Sequence, residues 1–283
     1  MKKFQIGVQT IILRSEVPKV GLFEALRKCN EIGYHCFEIS QLPMTKENID
    51  AINRARSELG INIGAMSALV TPLGKKVGDW VNPFDNLEED FDKIVADLRS
   101  VDCDLLRSGI MPAEILGSYE AVLAFAKETD LMAGRLKAEG IDMYYHTHHF
   151  EFGKYNGEYI LDIIRNNTKY VGFELDTHWM QRGGTNPVKM IRHFAGRVRL
   201  LHLKDYRINS QIYYELGYST PEMIEYAEIG EGNLPIKECI EAGVEAGCDY
   251  FFVEQDNSYG RTPYESLKIS YDNLVKMGYG EYL

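Results

Sequence analysis

Five of the seven histidines, His146, His148, His149, His178 and His202, fall at or just past the ends of short apolar runs of β-forming residues. Carboxylates hold matching places: Glu38 in one such run, Glu151 just after another, Asp176 and Glu254 near the ends of two more. Imidazoles and carboxylates without a thiolate suit a divalent cation of intermediate hardness, Mn2+ first, with Mg2+ or Co2+ as alternatives, rather than a structural zinc. Asp176, His202 and Glu254 are the strongest ligand candidates. The fourth must come from the run 145–151, where His146 and His148 would share one face of an extended chain and Thr147 the other. Glu151 lies past them, at the start of a loop that could turn it inward.

A cation with an open position can chelate a carbonyl and its neighbouring hydroxyl, stabilising the charge left when the adjacent carbon loses a proton. His146 or His148 would serve as general base, since imidazole titrates near neutrality, with Glu254 as opposing acid or base and Lys204 as electrostatic or proton-donating partner. Reprotonation on the other face is epimerisation, at the next carbon isomerisation, and loss of a β-substituent is a lyase reaction. Glu38, Arg107, His178 and Trp179 are candidates for binding the substrate, and Arg107 or Arg182 would suit a carboxylate or phosphate. Tyr206, Tyr213, Tyr214 and Tyr218 could form a lid, and Trp80 a second pocket wall or a dimer contact.

These residues need a scaffold that gathers strand ends. Eight β-type runs, 5–10, 36–40, 61–67, 104–109, 142–148, 171–176, 198–204 and 250–255, alternate with helical stretches. Before the second run, Leu22, Phe23, Leu26, Cys29 and Ile32 make a one-sided stripe that stops at Gly33. Before the fifth, Ser118 is a good N-cap for a helix through Val122, Phe125, Met132 and Leu136, ending at Gly140. Eight such units in 283 residues, with no G-x-G-x-x-G after the first run, predict one (β/α)8 TIM barrel spanning 1–283. Its strand ends converge on one mouth, so a strand-end His or Asp that alone could merely cap the backbone becomes part of a shared site. Long connections at 70–85 and 205–232 fall on that face.

The formal net charge of −11 disfavours a general nucleic-acid binder, whose affinity comes from neutralising phosphates. Five scattered cysteines without a C-x-x-C pair fit a reducing compartment, and no signal-like or membrane-spanning run is present, so a cytoplasmic protein is expected. An exposed apolar surface would mark a homo-oligomer, which the sequence does not locate.

At these residues the chain resembles the sugar phosphate isomerase/epimerase superfamily of xylose isomerase-like TIM barrels. The resemblance rests on Tyr145-His146-Thr147-His148-His149-Phe150-Glu151-Phe152, close to a Y-H-N-H-D-F-E-F signature; Glu174-Leu175-Asp176-Thr177-His178-Trp179 with Gly183-Gly184 and Pro187; Leu201-His202-Leu203-Lys204-Asp205; Gly230-Glu231-Gly232-Asn233; and Val253-Glu254-Gln255-Asp256. It covers essentially the whole chain and names no substrate. It implies Asp176, His202 and Glu254 as metal ligands and a carbohydrate substrate. Ketose epimerases of this superfamily place a glutamate at the end of strand five, where this chain has His146 or His148. Glu151 is assigned as fourth ligand, with His146 as alternative ligand or base. The expectation is a metal-dependent sugar isomerase or epimerase acting next to a carbonyl. The histidines of strand five favour a lyase, an inosose-type dehydratase or a 3-keto-glycoside-cleaving enzyme, as alternative. An endonuclease-IV-like nuclease and a non-catalytic sugar-binding subunit rank lower.

Overall fold

The computed structural model describes residues 4–72 and 84–283. Eight parallel strands, β1 (Gln5–Gln9), β2 (Cys36–Ile39), β3 (Asn62–Ser67), β4 (Leu105–Gly109), β5 (Asp142–His146), β6 (Gly172–Asp176), β7 (Leu200–Leu203) and β8 (Tyr250–Val253), close into a barrel. They follow one another in chain order around it, and β8 returns to pair with β1, Gln5 opposite Tyr250. One main helix follows each strand: α1 (Leu22–Ile32), α2 (Lys46–Leu59), α3 (Phe91–Ser100), α4 (Tyr119–Ala138), α5 (Ile160–Asn166), α6 (Pro187–His193), α7 (Ile236–Ala246) and α8 (Pro263–Lys276). This is the expected (β/α)8 TIM barrel.

Local signals start and stop these helices where the sequence places them. The Ser118 hydroxyl accepts the Ala121 N–H at 3.0 Å, an N-cap worth about 1 kcal/mol, and α4 then buries Val122, Phe125, Met132 and Leu136. Thr262 and Glu265 form a reciprocal capping box at the start of α8. Among the described residues no helix is long and apolar enough to cross a membrane. All five cysteines are buried, and none is in a disulfide.

The barrel interior explains how the site is made. Cys36, Ala65, Leu105, Tyr144, Leu200 and Phe252 pack together inside the barrel as an apolar plug. Two residues further along the same strands, and so pointing the same way, stand Glu38, Arg107, His146, His202 and Glu254. Strand β6 contributes Gly172 beside the plug, because a Cβ there would lie 2.2 Å from the Tyr144 ring. Two and four positions later it supplies Glu174 and Asp176. The period-two alternation of six strands thus turns from apolar to ionisable at one height.

Two details depart from expectation. Strand β5 ends at His146, not His148, so His148 and His149 belong to a turn that leads into the short 3-10 segment Phe150–Phe152. The region 205–232 is more ordered than a loop: Asp205–Ile208 pairs antiparallel with Ile224–Ala227, and a short helix, Ser210–Leu216, lies between. Its base is stapled by Asp205, whose carboxylate accepts N–H bonds from Tyr206, Gly230, Gly232 and Leu234 at 2.9–3.2 Å. Gly232 must be glycine, since a Cβ would sit 2.2 Å from Asp205 Oδ1. The Gly230–Asn233 motif therefore serves this staple. Most of the connection 70–85, with Trp80, lies outside the described residues.

Candidate active site

His146, Asp176, His202 and Glu254 are all buried, and one potential ligand atom from each lies within 4.8 Å of the others. The carboxylates are divided in their tasks. Asp176 Oδ1 accepts the Trp179 N–H at 2.8 Å and caps the helix Thr177–Arg182, while Oδ2 has no hydrogen-bond partner. Glu254 Oε1 accepts from Gln9 Nε2 at 3.3 Å and lies 3.4 Å from Lys204 Nζ. Its Oε2 faces His202 Nδ1 at 2.6 Å, but neither atom has a partner aligned for a hydrogen bond. Buried polar atoms left without partners are costly, so three in one place fit a bound cation. One oxygen of each acid is anchored, and the other is free to bind.

Beneath this group lies a second layer. His202 Nε2 is hydrogen-bonded to Glu38 Oε2 at 2.8 Å and stands 3.2 Å from Glu174 Oε1. Glu38, Glu174 and His202 also meet the spacing of a cation site. The buried Arg107 already supplies its charge: Nε donates to Glu174 Oε2 at 3.2 Å and lies 3.5 Å from Glu38 Oε1. Arg107 and Glu38, expected to hold substrate, are thus committed to each other and to the floor of the site.

Charge follows this geometry. Burial disfavours the imidazolium of His202, but Glu174, Glu38 and Glu254 outweigh it and hold its pKa well above the usual histidine value. Burial pushes Asp176 well above the usual carboxylate range, with Glu254 adding to the effect and Lys204 opposing it. Glu254 is the reverse case: burial is overcome by Lys204 and His202, and it stays well below that range. Burial, reinforced by Arg107 and His202, drives His146 well below the usual histidine value. A cation would add the positive charge that lets Asp176 ionise.

Glu151 is not part of the cation group. Its Oε1 accepts the Tyr145 hydroxyl at 2.6 Å and its Oε2 the His148 backbone N–H at 2.9 Å. Both oxygens are spent on turning the chain after β5, and the group's member from that strand is His146. Burial raises the Glu151 pKa from an ordinary 4.5 to about 7. Between these values the folded protein keeps a proton that the unfolded chain has lost. Its contribution to stability is therefore full below the lower value and lost as pH rises through the upper one, a change of roughly 3 kcal/mol. Glu151→Gln should remove this pH dependence: urea unfolding at pH 5 and pH 8 should give a smaller loss of stability on going to pH 8 than in the wild type. Equal losses in the two proteins would count against it.

Above the cation group stands an aromatic wall. Lys204 Nζ lies 2.5 Å from Asp256 Oδ2, 4.6 Å from the centre of the Trp179 ring and 5.0 Å from that of Tyr226. Burial opposes its charge, but Glu254, Asp256 and Asp176 prevail and raise its pKa. His178 packs between Trp179, Tyr206 and Tyr226, with both ring nitrogens unpartnered. The His148 ring lies 4.7 Å from that of His146 and 5.7 Å from that of Trp179. Burial pushes His148 and His178 down to about 3, rather than leaving them near neutrality. Of the four tyrosines expected as a lid, Tyr206 reaches this wall, whereas Tyr213, Tyr214 and Tyr218 are 50%, 82% and 61% exposed. Glu174, Gln9, Asp256 and Tyr226 were not singled out from sequence. The even spacing of Glu174 from Asp176, and of Asp256 from Glu254, was the available signal.

Residues 26–272 match the family model described as xylose isomerase-like TIM barrel. The chain belongs to that family. Solved structures of similar fold include a sugar phosphate isomerase/epimerase from Parabacteroides distasonis, at 22% identity and a TM-score of 0.75 over 96% of this chain and 98% of that one. An L-ribulose 3-epimerase gives 15% and 0.69 over 98% and 96%. The probable 3-DHS dehydratase AsbF from Bacillus anthracis gives 11% and 0.68 over 96% and 99%. At such identities the likeness is one of fold. No curated protein sequence matches the chain. Across this family fold, His146, Asp176, His202 and Glu254 sit at the C-terminal mouth, where TIM-barrel chemistry is built.

Proposed function

We propose that this protein is a divalent-metal-dependent sugar isomerase or epimerase that removes a proton next to the carbonyl of a keto-sugar or related polyol. The observation that carries the reading is the buried group His146, Asp176, His202 and Glu254, with unpartnered atoms on Asp176, His202 and Glu254. Two imidazoles and two carboxylates suit Mn2+, and bound there it would supply Lewis-acid polarisation of the carbonyl and its neighbouring hydroxyl. The protein's own groups do the rest. His148 has a buried, unpartnered Nδ1 and is the base by its position, although burial lowers its pKa to about 3 in the protein without substrate. Lys204, held protonated by Glu254 and Asp256, faces the developing oxyanion. Trp179 and His178 offer ring faces and unpartnered N–H groups to the substrate.

An imidazole at the strand-five end, in place of the glutamate of ketose epimerases, favours a second reading on the same scaffold, a lyase that expels a β-substituent. One experiment separates these outcomes. The metal-loaded protein is incubated in deuterated water with keto-sugars, inososes and 3-keto-glycosides and followed by proton NMR. Exchange of the α-proton with formation of an epimer or isomer is the expected result. Release of a leaving group would establish the lyase, and no exchange with any member of the panel would overturn both.

A further inference from the structure

We infer that a cavity of 130 Å3 at the ends of β2, β3 and β4 is the subsite for an aromatic ring carried by the substrate, an inference that rests on the sugar-converting reading above. The sequence makes this room. At the height where neighbouring strands bear Glu38, Arg107 and His146, β3 bears Ser67, two places after Ala65 of the apolar plug and opposite Arg107. Two places beyond Arg107 stands Gly109, where a Cβ would lie 3.1 Å from Arg107 Cζ and from His146 Cβ. Gly109 lines the cavity, so an occupant sits beside the cation group.

Ala68, Leu69, Phe84 and Ile110 make the walls apolar. A hydroxylated ring would lose hydrogen bonds against them, whereas an aromatic ring would not. The walls are held in advance of any ligand: the Ala68 N–H donates to the Arg107 carbonyl at 3.1 Å, and Leu69 exchanges backbone bonds with Asp85 and Leu87 at 3.0 and 2.9 Å. Arg107 also lines the cavity, with Nε and Nη1 donating to Glu174 and Ser40, and a planar guanidinium stacks well on aromatic rings. A dry cavity of about 150 Å3 accepts benzene, so the size suits a single ring.

Two backbone exceptions meet at this cavity. Gln41 has a φ of 56° and Ile110 a φ of 72°, both in the left-handed region, where a β-branched residue is a genuine outlier. Ile110 is also 43% exposed, so burial in the core does not account for an isoleucine at that turn. Strain of this kind gathers at ligand-binding sites, and here it puts an apolar side chain on the cavity wall.

The probe is 4-fluorophenol, titrated into the full chain and followed by fluorine NMR. Ser67→Leu, which fills the cavity from β3, should weaken binding by about tenfold or more. Ile110→Gly should weaken it by roughly 3–10-fold while the thermal midpoint holds or rises, because glycine adopts that φ without strain. No binding to the wild type, or wild-type affinity in a folded Ser67→Leu protein, would overturn the inference. Should Ser67→Leu not fold, Ile110→Gly decides: unchanged affinity would overturn the inference, and so would a lower midpoint, which would mark Ile110 as a packing residue. Mn2+ separates this result from the proposed function. Bound at the cation group, the paramagnetic ion should speed the relaxation of the probe's fluorine. Binding that depends on Ser67 but is untouched by Mn2+ would leave the subsite standing and count against the cation site. Relaxation by Mn2+ that is the same in Ser67→Leu would overturn the subsite alone.

Discussion

Asp176→Asn should fold and yet lose its divalent cation. The substitution is nearly isosteric, and an amide oxygen can continue to accept the Trp179 N–H that Asp176 Oδ1 accepts at 2.8 Å, so the cap of the following helix is kept. What changes is the other arm. The unpartnered Oδ2 becomes an uncharged NH2 that turns donor hydrogens toward the place where His202 Nδ1 and Glu254 Oε2 converge. Loss of a ligand should exceed the roughly 10–100-fold that loss of an outer partner costs. Purified wild type should hold about one divalent cation per chain, as one four-ligand group requires. Asp176→Asn and His202→Ala should hold almost none by elemental analysis. For Asp176→Asn the thermal midpoint, compared in the absence of metal, should move by only a few degrees. Wild-type metal content in either variant would remove the basis of the mechanism.

Lys204→Met should lower kcat by roughly 10²–10³-fold, the usual worth of a donor aimed at the developing oxyanion, with a smaller effect on KM. The ammonium is fixed from several sides: Asp256 at 2.5 Å, Glu254 at 3.4 Å and the rings of Trp179 and Tyr226. Methionine fills much of the same volume between the rings but takes the ammonium 3.4 Å away from the buried Glu254. A stability loss of up to about 3–5 kcal/mol is expected, and denaturant unfolding should report it separately from turnover. Lys204→Arg should not restore activity, because a planar fork cannot occupy a place shaped for a compact ammonium. A kcat within twofold of wild type in Lys204→Met would reduce Lys204 to a structural ion pair.

The contrast between Asp176 and Glu151 shows what was legible in the chain. Asp176, His202 and Glu254 could be found because each lies at or next to the end of an apolar run, and a count of eight such runs implies that their ends converge. Glu151 lies outside any strand, and its direction depends on the Tyr145 hydroxyl and the His148 N–H, neither of which spacing reveals. Glu174 stood in a quoted motif but was given no role. Only closure of the barrel set it between His146 and His202, with Arg107 reaching it from β4. The tyrosines after β7 were legible as a group, yet only pairing of 205–208 with 224–227 separated Tyr206, facing the site, from Tyr213, Tyr214 and Tyr218, facing solvent.

Sequence alone determined the alternation, the helix caps and the set of strand-end acids and imidazoles, because these depend on periods of 2 and 3.6 residues within a single element. Tertiary structure decided which of those groups meet, which oxygen of each acid is anchored and which stays free, and how burial shifts their charges. Those properties arise from strands up to 245 residues apart, Gln9 and Glu254 among them, and local periodicity carries no information across that distance.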